Sequence, residues 1–271
     1  MRLTRASAPG GDTVAWDPAR GVLDPAALAD VDAVVHLAGA PVDERWTVAR
    51  KRVILSSRVD GTSLLARVVG ALSPSPRVFV SASAIGYYGD RGDDIVDESA
   101  PAGSGFLATV AEAWENAAAP ARDAGIRTAH PRFGIVLSRA GGALAKLLPP
   151  FELGAGGKIA QGTQWMSWIA RDDVVRALCF ILATDALHGP INLTAPNPAT
   201  NADFAKALGH VLHRPSVATV PAFALRLMYG ELADEARLAG QRVLPTALTT
   251  AGFSFLYPTL DAALRHELGR D

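Results

Sequence analysis

A chain of 271 residues, 49% apolar and 20% charged, is long enough for one large domain or for a domain with a smaller companion. Its 26 basic and 27 acidic residues give a formal net charge of -1 without any block of like charge, which excludes a nucleic-acid footprint. No apolar run reaches the roughly 20 residues of a membrane span, and the amino terminus lacks the apolar region of a signal peptide, so we expect a cytoplasmic protein with no membrane partner.

Short apolar segments alternate with longer helical patterns through the first two thirds of the chain. The predicted strands are 13–16, 32–37, 78–82, 126–137, 164–169 and 190–195, and the predicted helices are 46–72, 106–124 and 141–153. This alternation is typical of a doubly wound parallel sheet with helices on both faces. From residue 201 the predicted elements are mostly helical. We therefore predict a Rossmann-like α/β domain over 1–200 and a small, mostly helical domain over 201–271.

Two local expectations concern helix ends. The helix over 141–153 should be interrupted at Pro149 and Pro150, because a proline ring has no N–H to continue the hydrogen-bond ladder. Asp172 or Asp173 should cap the helix that follows the strand at 164–169, since aspartate is a favoured N-cap residue.

The beginning of the predicted sheet lacks its usual phosphate-binding turn. In such folds a glycine-rich turn after the first strand holds a pyrophosphate against a helix N-terminus. No such turn precedes the apolar runs here, and residues 1–5 are typical of the tail of a second strand. We therefore expect the first strand-turn-helix unit to be missing. A chain without that unit should be less stable than one that carries it, and should bind a dinucleotide poorly.

Two strand ends carry residues suited to a ligand site. Leu37, Ala38 and Gly39 end one strand with side chains small enough for a ribose or phosphate to approach, although a tight turn needs small residues too. Ser83 and Tyr87 follow another buried strand, where a serine can hydrogen-bond a reacting carbonyl and a tyrosine can pass a proton. The alternative is structural: Ser83 ends the strand and the tyrosines pack beneath the acidic loop.

The remaining polar side chains predict no further site. Glu112 and Glu115 lie three residues apart on one predicted helix, which is typical of a solvated face. No cluster of histidine, cysteine or carboxylate residues has metal-ligand spacing, so we predict no metal site.

Several motifs together resemble the extended short-chain dehydrogenase/reductases. Those motifs are Val34–Gly39, Val59–Leu65, Ser81–Gly89 and Ser167–Val174. More narrowly, Arg45–Thr47, Ser57-Arg58, Gln164–Ile169, Gln241–Pro245 and Ala251–Pro258 resemble the atypical bacterial "epimerase family protein" branch and its appended C-terminal domain.

The resemblance implies a cofactor and residues that hold it. Arg5 matches the arginine that accepts an adenosine 2′-phosphate in relatives, which implies NADP rather than NAD. Leu37, Ala38 and Gly39 are then expected on the ribose side of the cofactor, and Pro131 and Phe133 near the nicotinamide.

One departure from ordinary family members concerns the chemistry. The segment 105–115, which matches the position of the catalytic tyrosine–lysine pair, contains neither residue type. We therefore expect Ser83 to polarise a substrate carbonyl and Tyr87 to be the remaining proton donor. The expected function is that of an NADP-dependent oxidoreductase or nucleotide-sugar epimerase-like protein acting on an unidentified small molecule. The alternative is a non-catalytic NADP-binding or interaction protein that has lost this chemistry.

Overall fold

A computed structural model describes residues 1–5 and 12–270 as strands, helices and their connections. The strands are β1 (Arg2–Thr4), β2 (Thr13–Asp17), β3 (Val22–Leu23), β4 (Ala33–His36), β5 (Val78–Ser81), β6 (Ser83–Ala84), β7 (Ile95–Val96), β8 (Arg127–Phe133), β9 (Ile135–Leu137), β10 (Gly157–Ile159), β11 (Trp165–Met166), β12 (Trp168–Ala170), β13 (Gly189–Leu193), β14 (Ala199–Thr200), β15 (Ala218–Val220) and β16 (Arg242–Val243).

Helices connect most of these strands. They are α1 (Val48–Gly70), α2 (Phe106–Asn116), α3 (Ala119–Asp123), α4 (Gly142–Glu152), α5 (Arg171–Ala183), α6 (Asn201–Leu212), α7 (Ala222–Tyr229), α8 (Glu231–Ala233), α9 (Thr246–Thr250) and α10 (Leu260–Leu268). Short 3₁₀ helices span Pro25–Leu28 and Ile85–Tyr88, and a π-helical turn spans Asp234–Leu238.

A parallel sheet with the strand order β13-β8-β5-β4 forms the centre of the fold, and β6 extends it against β8. Strands β1 and β2 pair in parallel in a separate sheet, where β3 runs antiparallel to β2. The parallel sheet between helices confirms the Rossmann-like prediction.

Helices cover both faces of the central sheet because alternate side chains of each strand point in opposite directions. Within β5, Phe79 packs with Leu65 of α1, whereas Val78 and Val80 pack with Ile181 of α5. All three β5 side chains are fully buried, as expected for a strand that lies between two helical layers.

A third apolar cluster joins α4 to the C-terminal helices. Leu148 and Phe151 of α4 pack there with Leu208 of α6 and Leu264 of α10. The helix α4 runs through Pro149 and Pro150, so the predicted interruption is wrong. Burial of the side chains on either side of the prolines holds the last turn together despite the missing N–H groups. This cluster takes residues from both sides of the predicted domain boundary at residue 200, which stays a prediction.

The carboxyl end of the chain is tied to α5 by a buried aspartate. Asp173 is fully buried and accepts hydrogen bonds from the backbone N–H groups of Leu256 (2.8 Å) and Tyr257 (2.9 Å), and it pairs with Arg176 at 3.1 Å. Neither Asp172 nor Asp173 caps α5, so that prediction is wrong. The Asp173 carboxylate instead binds backbone N–H groups that are more than 80 residues away in the sequence, which local sequence rules do not reveal. Among the described residues, no helix is long and apolar enough to cross a membrane.

Candidate functional site

A cavity of about 700 Å³, here called the first cavity, opens where β1, β2 and β4 end. Its lining includes Arg5 after β1 and Leu37, Ala38 and Gly39 after β4. In open parallel sheets, ligands bind at the carboxyl ends of the strands. Four of the six residues predicted to hold a cofactor therefore lie around one cavity in the place where such a ligand binds.

The loop after β4 is held in shape by the neighbouring helix α1. The Ser57 hydroxyl accepts a hydrogen bond from the Ala40 N–H and donates one to the Ile54 carbonyl, both at 3.0 Å. Arg58 Nη1 donates to the Ala40 carbonyl at 3.0 Å. A Cβ atom at Gly39 would lie 3.1 Å from the Arg58 Cζ, so glycine allows this close approach. The wall of the first cavity is thus fixed by contacts within the protein.

Pro131 and Phe133, the two other predicted cofactor residues, lie within β8 and do not line the first cavity. Their strand neighbours are Ile191 and Leu193 of β13. Phe133 is half-buried and packs in the apolar cluster of β5, β13 and α5. The geometry does not bring these two residues together with Arg5, and their assignment to the nicotinamide stays a prediction.

A buried network of charged and polar side chains lies beneath the other predicted strand end. The Ser83 hydroxyl, 2% exposed, donates to Glu115 Oε1 at 2.7 Å. Arg132 holds the same carboxylate with two hydrogen bonds of 2.8 and 2.9 Å. Arg132 Nη1 also donates to the Tyr88 hydroxyl at 2.9 Å, which in turn donates to Asn192 Oδ1 at 2.7 Å. Burial raises the pKa of Tyr88 to about 12, so this hydroxyl stays protonated at neutral pH.

This network corrects the expectation for Glu115, and it contains Ser83, whose catalytic role stays a prediction. Glu115 was expected on a solvated helix face, but its side chain is only 13% exposed because that face of α2 packs against the buried Arg132. Ser83 was expected to polarise a substrate carbonyl. A serine has a single O–H donor, and here that donor is used on Glu115. In this arrangement Ser83 offers a ligand acceptor lone pairs only.

Tyr87 differs from its buried neighbour Tyr88. It is half-buried, its ring meets Tyr88 edge to face at 5.5 Å, and Arg132 Cζ lies 3.5 Å from the ring centroid. None of the described residues forms a hydrogen bond with the Tyr87 hydroxyl. Arg132 therefore links Ser83, through Glu115, to Tyr87.

The start of α2, where ordinary family members carry their tyrosine and lysine, has a different partner here. The carboxylate of Glu235 accepts hydrogen bonds from the backbone N–H groups of Phe106 and Leu107, both at 2.8 Å. A carboxylate at a helix N-terminus satisfies free N–H groups and complements the helix dipole. Glu235 belongs to the π-helical turn at Asp234–Leu238. The C-terminal region therefore supplies the hydrogen-bond acceptor for the first turn of α2.

Two further polar sites do not form ligand sites of their own. His36 is 4% exposed, its Nε2 has no hydrogen-bond partner among the described residues, and burial lowers its pKa to about 4. Asp172, His266 and Glu267 place ligand atoms within 4.8 Å of one another. However, His266 Nε2 lies 2.9 Å from Asp172 Oδ2, and Glu267 accepts the Arg171 N–H. Each of these three side chains therefore already has a hydrogen-bond partner within the protein.

Comparison with known proteins agrees with the fold. The parallel sheet and its strand-end cavity define a dinucleotide-binding class of α/β protein. Residues 20–193 match the model of the NAD dependent epimerase/dehydratase family, and residues 220–267 match a domain of unknown function, DUF1731. The chain belongs to the NAD dependent epimerase/dehydratase family, which confirms the resemblance found in the sequence.

Individual relatives cover nearly the whole chain. An epimerase family protein of Mycobacterium bovis is 42% identical over all 271 residues, which span 89% of that relative. The crystal structure of human epimerase family protein SDR39U1 with NADPH has a TM-score of 0.89 and 32% identity, and the match covers 98% of this chain and 90% of the human one. A nucleoside-diphosphate sugar epimerase from Corynebacterium glutamicum has a TM-score of 0.79 and 37% identity, over 98% of this chain and 52% of the other.

Proposed function

We propose that this protein binds NADP through the first cavity and acts as an oxidoreductase or epimerase-like enzyme on a small molecule. The observation that carries the proposal is the position of Arg5 beside Leu37, Ala38 and Gly39 around one strand-end cavity. These residues fit the adenosine ribose and its 2′-phosphate, since small side chains admit the sugar and a guanidinium pairs with a phosphate. When bound, the cofactor supplies a hydride acceptor or donor. The human relative solved with NADPH supports this choice of cofactor.

The Arg5→Ala variant tests the choice between NADP and NAD. Loss of a charge-assisted pair with the 2′-phosphate should weaken NADPH binding by about tenfold or more, whereas NADH, which lacks that phosphate, should bind as before. Calorimetric titration of both nucleotides, on a chain to which the strand-turn-helix unit expected to be missing has been added, measures the two dissociation constants. Arg2→Ala is the matched control, because Arg2 is an exposed arginine at the start of β1, the strand that precedes Arg5, and does not line the first cavity. An unchanged preference in Arg5→Ala rules out the role given to Arg5.

Tyr87 is the proton donor in this proposal, and Ser83 is a positioning residue. Tyr87 has a hydroxyl without a partner among the described residues, and Arg132 stacks on its ring. Ser83 holds Glu115, which holds Arg132. Ser83 therefore acts on Tyr87 through two side chains and needs no contact with the substrate.

Tyr87→Phe should lower turnover by about a hundredfold or more, the usual contribution of a general acid, with NADPH affinity nearly unchanged. Ser83→Ala should lower turnover less, because Arg132 keeps its bonds to Glu115. The assay is NADPH oxidation with a panel of sugar nucleotides, ketones and aldehydes. Tyr257→Phe, a half-buried tyrosine stacked on His266, is the control. Turnover that is the same in Tyr87→Phe and in the wild-type chain contradicts the assignment.

A non-catalytic NADP-binding protein is the second candidate. It is favoured by the composition of α2, which contains neither tyrosine nor lysine, and by Glu235 at the start of that helix. The site therefore lacks the lysine of the tyrosine–lysine pair that ordinary members carry at this helix. NADPH binding without turnover anywhere in the substrate panel would decide for this candidate.

A further inference from the structure

An arginine without an acidic partner lies beside the loop that lines the first cavity. Arg58 of α1 donates through Nη1 to the carbonyl oxygens of Ala40 (3.0 Å) and Ile54 (3.1 Å). Arg50, on the same helix, also holds this loop, but it pairs with Glu44 at 3.3 Å. Arg58 forms no ion pair with any residue that the structure describes. Its charge is therefore not neutralised within this part of the protein.

The guanidinium of Arg58 is held between this loop and α2. Its Cζ lies 4.9 Å from the centroid of the Trp114 ring, and Trp114 Nε1 donates to the Thr62 hydroxyl at 2.9 Å. A Cβ atom at Gly39 would lie 3.3 Å from Arg58 Nη2. Gly39 lines the first cavity and Arg58 does not. Arg58 therefore lies beyond the edge of that cavity, on the side of α2.

Two nitrogen atoms of this guanidinium are free. Nε and Nη2 of Arg58 form no hydrogen bond with the described residues, and neither atom is fully enclosed, so both are open to solvent. Burial of the side chain and the charge of nearby Arg50 lower the pKa of Arg58 to about 10, which leaves it protonated at neutral pH. A half-buried cation with free donors is stabilised by an anionic, oxygen-rich ligand.

The proposed function requires the cofactor to extend toward α2. In that function Arg5 binds the adenosine end of NADP, and Tyr87 donates a proton at the other end. Tyr87 belongs to a turn that packs against α2, since a Cβ atom at Gly86 would lie 3.1 Å from Leu107 Cβ. A dinucleotide that reaches from Arg5 to Tyr87 therefore leaves the first cavity on the side where Arg58 lies.

We propose, on the basis of that function, that Arg58 is a cofactor-binding residue whose Nε and Nη2 donate to the ribose and phosphate oxygens of the nicotinamide half of NADP. Its role differs from that of Arg5, which binds the adenosine 2′-phosphate and so distinguishes NADP from NAD. Arg58 binds a part that both nucleotides share. It therefore contributes affinity for the cofactor without selecting between the two.

Arg58→Gln tests this role with three ligands on the extended chain used for Arg5→Ala. The ligands are NADPH, NADH and adenosine 2′,5′-bisphosphate, which carries only the adenosine half of NADP. By calorimetric titration NADPH and NADH should both bind about tenfold more weakly, because both lose charge-assisted hydrogen bonds. Adenosine 2′,5′-bisphosphate should bind as it does to the wild-type chain, which also shows that the first cavity is intact.

Two further variants complete the test. Arg58→Lys keeps the charge but loses the forked donors, so it should show the same pattern with a smaller loss of affinity. Arg52→Gln is the matched control, because Arg52 is an exposed arginine of α1 that does not line the first cavity. Its affinities for all three ligands should equal those of the wild-type chain.

Two results would overturn the inference. The first is unchanged binding of NADPH and NADH in Arg58→Gln while Arg5→Ala still loses its preference for NADPH, in which case the proposed function stands and only the role of Arg58 is wrong. The second is equal weakening of all three ligands in both Arg58 variants, which would mean that Arg58 acts only through the loop at Ala40. Absence of NADPH binding to the extended wild-type chain would instead contradict the proposed function, and this inference with it.

Discussion

Arg132→Met is expected to lower the free energy of unfolding by about 3–5 kcal/mol, the usual cost of removing one partner of a buried ion pair. The side chains of Arg132 and Glu115 are 3% and 13% exposed, and two short hydrogen bonds join them. Without the guanidinium, Glu115 is left as a buried charge with the Ser83 hydroxyl as its remaining donor. Methionine fills a similar volume, so the loss of stability comes from removing the charge and its hydrogen bonds. Urea unfolding of the wild-type protein and of Arg132→Met measures this difference in free energy.

The control for this result is Arg226→Met. Arg226 pairs with Asp234 at 2.8 Å, but both side chains are more than half exposed, and an exposed pair contributes about 0–1 kcal/mol. The double variant Arg132→Met/Glu115→Gln should recover part of the stability lost in Arg132→Met, because it also removes the buried charge. Equal losses of unfolding free energy in Arg132→Met and Arg226→Met would contradict the conclusion that this buried network stabilises the fold.

Asp173→Ala is the second substitution with a large expected effect, a loss of about 2–4 kcal/mol, because it leaves two backbone N–H groups without their acceptor. The fully buried carboxylate accepts from Leu256 and Tyr257 and pairs with Arg176. The loss should be accompanied by faster hydrogen exchange at residues 254–258, since this contact holds that segment against α5. Thermal unfolding together with exchange measures both effects.

Asp172→Ala provides the comparison for Asp173→Ala. Asp172 precedes it on the same helix, but its side chain is 40% exposed and pairs with His266 at the surface. We expect a loss of about 1 kcal/mol or less there. If the two variants are equally stable, or if exchange at 254–258 is unchanged in Asp173→Ala, the tethering role is wrong.

The sheet and the first cavity could be predicted because their signals are local. Buried strands such as β5 are continuous apolar runs, and small residues at a strand end, such as Ala38 and Gly39, mark a close approach within a few positions. The predicted helix interruption at Pro149 was wrong because local rules about proline take no account of the burial of Leu148 and Phe151 around it.

The buried network could not be predicted because its members come from different elements. Ser83 and Glu115 are separated by 32 residues, and the rotation of α2 against β8 decides that Glu115 faces inward. Glu235 reaches Phe106 across 129 residues of sequence. One signal was available in the sequence. Arg132 lies in a strand whose inner residues are all buried, and a buried arginine requires an acidic partner. Candidate partners were Asp123 of α3 and the two glutamates of α2, Glu112 and Glu115.

Hydrogen exchange of the full chain with and without NADPH tests most directly whether the dinucleotide binds in the first cavity. With the nucleotide bound, exchange should slow at the backbone amides of residues 3–5 and 37–40, which line that cavity, and stay unchanged at 201–212 in α6, which does not. Slowed exchange confined to other segments, or none at NADPH concentrations that saturate binding, would contradict the assignment of this cavity.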